Sequence, residues 1–169
     1  MIRILLYFSF LISFHFSSYS QCISGNCMNG RGIYLYPNKD KYDGEFLKGT
    51  RHGKGEYVFE NGDRYIGEFK KNLRSGEGLY IYSDGNIYEG EWKEGVFSGK
   101  GEIKYANKSK YTGSFSNGLR KGKGTFYNEK GEQFTGKWKN DSLNGTGIYI
   151  DSDGKQSKGI FKDSNFTFK

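Results

Sequence analysis

The chain has 169 residues, a formal charge of +7 and one proline, Pro37. Its length suits a single domain, and so little proline excludes a proline-rich linker. Cys22, Cys27 and the distant His52 cannot fill a tetrahedral metal shell, so no metal and no cofactor is expected.

The first segment reads as a targeting signal. Arg3 precedes an apolar stretch from Ile4 to Phe16, and the small residues Ser18 and Ser20 lead up to Gln21. The stretch falls short of the about 20 residues that a membrane span needs. Residues 1–20 are therefore expected to be a cleaved secretion signal. The mature chain, of charge 25 − 19 = +6, is then expected in a periplasm, on an outer surface or outside the cell. A retained anchor and acylation at Cys22 are the alternatives. Residues 21–41 follow as an N-terminal cap. In an exported chain, Cys22 and Cys27 read as a disulfide closing a small loop.

Residues 42–156 hold five units of 23 residues with no insertion, at 42–64, 65–87, 88–110, 111–133 and 134–156. Such a period marks a linear array of stacked units. With the first residue of a unit as offset 0, that offset holds Tyr42, Tyr65, Tyr88, Tyr111 and Phe134. Offset 2 holds Gly44, Gly67, Gly90, Gly113 and Gly136, and offset 4 holds Phe46, Phe69, Trp92, Phe115 and Trp138. Offsets 11 and 13 are glycine throughout, and offset 15 is Tyr57, Tyr80, Ile103, Phe126 or Tyr149. Even spacing within each half means two strands per unit, with alternate side chains on one face.

The pairs Asn61-Gly62, Asp84-Gly85 and Asp153-Gly154 predict two-residue type I′ turns between units. The opposite turns, such as Lys48 to His52, are expected to be longer. One face is aromatic and glycine-rich, and no helical pattern exists to cover it. Each ring is expected to lie over the bare backbone of a neighbouring glycine. The fold is thus all-β: a single-layer antiparallel meander, twisted and curved into an open half-pipe. With half-unit caps at 29–36 and 157–169, roughly 12 strands at about 4.8 Å span about 55 Å.

The motif Y-x-G-x-W/F-x-x-G-x-x-x-G-x-G, seen here as YEGEWKEGVFSGKG from Tyr88 to Gly101, resembles the MORN repeat, the membrane occupation and recognition nexus. The likeness spans about residues 29–163, with Asn72, Asp141 and Phe134 departing from the pattern. It implies a non-enzymatic scaffold that presents its sheet to a protein partner or an anionic membrane surface.

The turn edge opposite the Asn-Gly turns is the first candidate contact. Lys48, Arg51, Lys54, Lys70, Lys71, Arg74, Lys100, Arg120, Lys121 and Lys123 gather there by sequence, with Lys93 and Lys139. Such a stripe attracts anionic lipid or acidic polysaccharide, and the competing reading is a row of solvated turns. Nucleic acid is not an expected partner of an exported chain. The aromatic face, with Trp92, Trp138 and the tyrosines, is either core or a groove for a peptide or sugar. A carbohydrate or cell-wall module is the alternative function. Glu45, Glu68 and Glu91 repeat at offset 3 and could supply a glycosidase-like carboxylate pair, but a solubilising ladder is the stronger reading. His52 reads as a solvated loop histidine. Open sheet edges would permit end-to-end association.

Overall fold

The computed structural model describes residues 20–168. The expected secretion signal lies outside the described residues, apart from Ser20. Among those residues there is no helix. Fourteen antiparallel strands form one open sheet in sequence order. They are β1 (Gln21–Gly25), β2 (Asn29–Leu35), β3 (Lys41–Leu47), β4 (Thr50–Val58), β5 (Arg64–Lys70), β6 (Leu73–Ile81) and β7 (Ile87–Lys93). There follow β8 (Val96–Lys104), β9 (Lys110–Ser116), β10 (Leu119–Tyr127), β11 (Gln133–Lys139), β12 (Ser142–Ile150), β13 (Gln156–Lys162) and β14 (Asn165–Phe168).

The count exceeds the expected twelve because each end carries one more short strand. The first, β1, pairs with β2, and a disulfide joins Cys22 to Cys27 with their Cα atoms 6.0 Å apart. The last, β14, pairs with β13 over four residues. Short strands limit the unpaired backbone that a sheet edge exposes.

The turn lengths are the reverse of the expectation. The turn after β3 holds two residues, Lys48 (φ 51°) and Gly49 (φ 71°). Lys71-Asn72, Glu94-Gly95, Asn117-Gly118 and Asn140-Asp141 repeat that double positive φ, which defines type I′. Between units the loop is longer. Gly62 N–H donates to Phe59 O at 3.0 Å and Phe59 N–H donates to Asp63 O at 2.9 Å. Gly62 has φ 90°, and Asn61 is not left-handed. This is a type I turn closed by a left-handed residue, the three-residue hairpin loop.

Every unit's own hairpin slips register at one bulge. In the first, Gly44 faces Gly55 but Glu45 faces His52, leaving Gly53 and Lys54 unopposed. Gly53 sits at φ 56°, where a side chain is strained. The Glu45 carboxylate accepts the Lys54 N–H at 2.9 Å, and Glu91 repeats this with Lys100 N–H at 2.6 Å. The offset-3 glutamates therefore hold bulges together.

The slip also orphans a backbone carbonyl, and the unit's lead tyrosine reaches across to it. Tyr42 Oη donates to Glu45 O at 3.0 Å, Tyr65 Oη to Glu68 O at 2.9 Å, Tyr88 Oη to Glu91 O at 2.8 Å and Tyr111 Oη to Ser114 O at 3.1 Å. On the way each ring crosses the glycines at offsets 2 and 13. A Cβ added at Gly55 would fall 2.5 Å from Tyr42 Cε2, and one at Gly78 2.5 Å from Tyr65 Cε2. The four tyrosines are 0% exposed. They alternate edge-on with the offset-4 rings, from Tyr42–Phe46 at 5.0 Å to Tyr111–Trp138 at 4.9 Å, giving one continuous core.

Candidate functional site

The sheet has two faces, and each sequence candidate falls on one or the other. Strand alternation puts offsets 9, 13 and 15 on the same face as the tyrosines. Offset 9 is Arg51, Arg74, Phe97, Arg120 or Leu143. The structure therefore removes Arg51, Arg74 and Arg120 from the turn edge and lays them on the aromatic face. Arg51 Cζ lies 4.6 Å from the Tyr57 ring centroid, Arg74 4.4 Å from Trp92 and Arg120 4.5 Å from Trp138. Their guanidinium groups also donate to the next unit's turn: Arg51 to Asn72 O at 3.0 Å, Arg74 to Gly95 O at 2.8 Å and Arg120 to Asp141 O at 2.8 Å. Arg120 adds an ion pair to Asp141 at 3.0 Å. Each is half-buried and ties one unit to the next through cation–π and charge-assisted contacts. His52 lies in β4 and is half-buried, and its Nδ1 has no hydrogen-bond partner.

Beside this arginine row runs a second line of rings. Tyr36, Phe59, Tyr82 and Tyr105 stand one per unit and are half-buried. Each leans on an offset-15 ring or its neighbour, as in Tyr57–Phe59 at 4.6 Å and Tyr80–Tyr82 at 4.5 Å. The line ends at Asn128, which replaces the next aromatic. Clefts open along it. One of about 840 Å³ is lined by Tyr34, Tyr36, Phe46, Arg51 and the Cys22–Cys27 loop. Another of about 220 Å³ is lined by Arg74, Tyr80, Tyr82, Trp92 and Phe97, and a third of about 520 Å³ by Tyr105, Arg120 and Phe126. Arg51 Nε, in the first cleft, is buried without a hydrogen-bond partner.

Carboxylates anchor the rings from the side of the longer turns. Tyr57 Oη donates to Asp40 at 2.6 Å, Tyr80 Oη to Asp63 at 2.7 Å and Tyr149 Oη to Glu132 at 2.7 Å. Asp40 and Asp63 also accept N–H from Glu60 and Ser83 of the following turn, both at 2.9 Å. Burial alone would raise these two aspartates. The hydroxyl, amide and neighbouring side-chain donors outweigh it, and both carboxyls sit below their ordinary value. Burial pushes Tyr57, Tyr80 and Tyr111 up, the last to about 12, while the hydrogen bond to Glu132 is the main cause that raises Tyr149.

The lysines keep to the turn edge and the polar face. Lys48, Lys70, Lys71, Lys93 and Lys121 are exposed on or next to the two-residue turns; Lys54, Lys100 and Lys123 are exposed on the polar face beside the glycines. The turn edge also carries aliphatics that sequence reading missed: Leu73, Val96 and Leu119, at 48%, 42% and 40% exposure. Their signal was apolar character at offset 8 in three consecutive units.

The MORN repeat profile matches residues 25–41, 42–64, 65–87, 88–110, 111–133 and 134–156. No curated protein matches the chain. Among solved structures, the TCP domain of Drosophila melanogaster SAS-4, in complex with a proline-rich motif of Ana2, is similar at 15% identity and a TM-score of 0.46, covering 96% of this chain and 98% of that one. The TCP10 domain of Danio rerio CPAP, in complex with a peptide of Danio rerio STIL, is similar at 12% identity and a TM-score of 0.39, covering 83% and 67%.

Proposed function

The chain belongs to the MORN-repeat family, and we propose that it is an exported, non-enzymatic scaffold that holds an extended segment of a protein partner along its aromatic face. One observation carries this reading. Tyr36, Phe59, Tyr82 and Tyr105 recur once per unit, so their pitch is two strand spacings, about 9.6 Å. A polyproline II chain advances about 9.3 Å per three-residue turn. A segment with proline at every third position would set one pyrrolidine ring into each gap between aromatics. Rings and preformed extended peptides make low-entropy contacts of this kind. The half-buried arginines between the rings carry further guanidinium N–H groups that can donate to the peptide carbonyls.

Export is supported by the leader-like residues before Gln21 and by the Cys22–Cys27 bond, which suits an oxidising compartment. The non-enzymatic reading rests on the offset-3 glutamates: two of the three accept bulge amides, leaving no free ladder of carboxylates for hydrolysis.

The test is a calorimetric titration with two synthetic peptides of equal composition, one with proline every third residue and one with proline every fourth. Binding of the first, weakened at least tenfold by Tyr82→Ala or Tyr105→Ala, is expected. Equal binding of both peptides, or indifference to both substitutions, would sink the peptide reading.

A second reading has its own observation. Leu73, Val96 and Leu119 stand exposed among Lys70, Lys71 and Lys93 on the turn edge. Aliphatics flanked by lysines suit the boundary of an anionic bilayer. Co-sedimentation with anionic but not neutral vesicles, lost in Leu73→Asp/Leu119→Asp, is its expected result; sedimentation with neither vesicle excludes it.

A further inference from the structure

The polar face is divided by charge. A row of glycines crosses the sheet from Gly32 on β2 to Gly159 on β13, with cross-strand pairs such as Gly55–Gly67 and Gly78–Gly90. The positions flanking that row hold eight acids and three cations between Arg31 and Glu102, and no acid but three lysines between Thr112 and Ile160. Like charges stand opposite each other in both parts. Glu77 faces Glu91 across β6–β7, and Lys123 faces Lys137 across β10–β11. Directly opposed like charges destabilise a sheet. The side chains of Glu77, Lys123, Lys137 and Lys158 form no ion pair or hydrogen bond among the described residues.

We propose that this face is a self-association surface, on which a second copy of the chain docks about a twofold axis parallel to the strands, between β8 and β9. That operation lays β6 over β11 and β7 over β10 and keeps the two-residue-turn edges together. Glu77 then meets Lys137, and Glu91 meets Lys123. The same operation sets Glu56 of β4 against Lys158 of β13, and Ile66 of β5 against Ile148 of β12. Among positions flanking the glycine row, no like charges meet.

Neighbouring axes fail this criterion. An axis between β7 and β8 sets Glu89 over Glu102. One on β8 sets Lys100 over itself, and one on β9 sets Lys100 over Lys123. A like-charge contact costs enough to reject such a placement. The overlap from β4 to β13 is about 45 Å long at the usual strand spacing. With five residues across, it covers about 700 Å² per copy, close to the roughly 800 Å² of a standard interface. The pairing turns both aromatic faces outward, so one dimer would present two partner surfaces. Docking through the polar face is independent of what the aromatic faces bind.

Sedimentation equilibrium of the described chain reads this out. The wild type is expected to form a concentration-dependent dimer that weakens at least tenfold from about 0.1 M to about 1 M salt, as the Debye length falls from about 10 to about 3 Å. Two charge-reversed proteins, Glu56→Lys/Glu77→Lys and Lys137→Glu/Lys158→Glu, are each expected to lose self-association. An equimolar mixture is expected to regain it as a heterodimer, because every reversed contact then finds its complement. Recovery on mixing also establishes that both variants fold. A monomeric wild type at low salt, unaltered dimerisation of either variant, or a mixture that stays monomeric would each overturn the proposal.

Discussion

The first four units and the fifth are built to the same sequence rule, yet only the first four close in the same way. Tyr42, Tyr65, Tyr88 and Tyr111 lie over their glycine pairs and donate to the carbonyl left by the bulge. Phe134 has no hydroxyl to reach that carbonyl, and its ring is half-buried. Leu143, 1% exposed, takes the vacated space, with Cδ1 2.9 Å from where a Cβ on Gly136 would stand. At the same offset the other units place Arg51, Arg74, Phe97 or Arg120. The tyrosine acts as a strap. Its hydroxyl satisfies the bulge and its ring covers backbone that no side chain protects. Where the strap is missing, an aliphatic plug closes the hairpin at the end of the array.

The largest expected break of this contrast is loss of the ring. Tyr65→Ala should cost about 3–5 kcal/mol, as truncation of a buried aromatic does, while Phe134→Ala should cost less than half as much; urea denaturation of both variants measures this. Equal costs would mean that Tyr65 is ordinary core. Adding a methyl comes next. Gly78→Ala forces its Cβ against the Tyr65 ring and should cost about 1–3 kcal/mol. Gly136→Ala meets only the flexible end of Leu143 and should cost less, read from the same curves.

Removing the hydroxyl alone is a finer cut. Tyr88→Phe should cost about 0.5–1.5 kcal/mol, the net worth of a buried hydrogen bond, and should raise hydrogen exchange at the bulge near Glu91. The reverse change, Phe134→Tyr, should gain almost nothing while Leu143 fills the space.

The smallest effect concerns pH and contrasts the carboxylate-anchored rings with Ile103 and Phe126, which have no hydroxyl at offset 15. Asp40 and Asp63 have folded-state values below their unfolded ones. Their stabilisation is therefore complete above the unfolded value of about 3.9 and is lost as pH falls through the folded value. Asp63→Asn should lower stability at neutral pH and flatten the acid limb of a stability–pH profile. An unchanged acid limb would show that Tyr80 does not depend on the charge of Asp63.

Much of this was legible in the chain. The 23-residue period and the alternation of aromatics with glycine point to an antiparallel meander, and Cys22 and Cys27 to a disulfide-closed loop at its start; the short strands β1 and β14 were not foreseen. The turns were misread for a definite reason. Thr50 to His52 and their equivalents look like part of a long loop, but they open a nine-residue strand that a bulge at Gly53 interrupts. Two of the five tight turns, Lys71-Asn72 and Asn140-Asp141, carry positive φ without glycine, so the turn signal is uneven along the chain. Cutting the strand short then sent Arg51, Arg74 and Arg120 to the wrong surface. The signal was present, because Arg51 and Tyr57 are six residues apart in one strand and so share a face.

What recurs is readable from the chain alone: paired strands, an aromatic face and the glycine row, because these follow from residue size and a period of two. Whatever depends on which residues lie opposite each other needs the assembled sheet. The bulge selects the carbonyl that each tyrosine reaches. Cross-strand register puts Glu77 beside Glu91 and Lys123 beside Lys137. Arg74 and Arg120 find their rings in the next unit, 18 residues along the chain from Arg74 to Trp92 but 4.4 Å away in space. Contact energies act at ångström range, and the distance along the chain says nothing about them until the sheet is assembled.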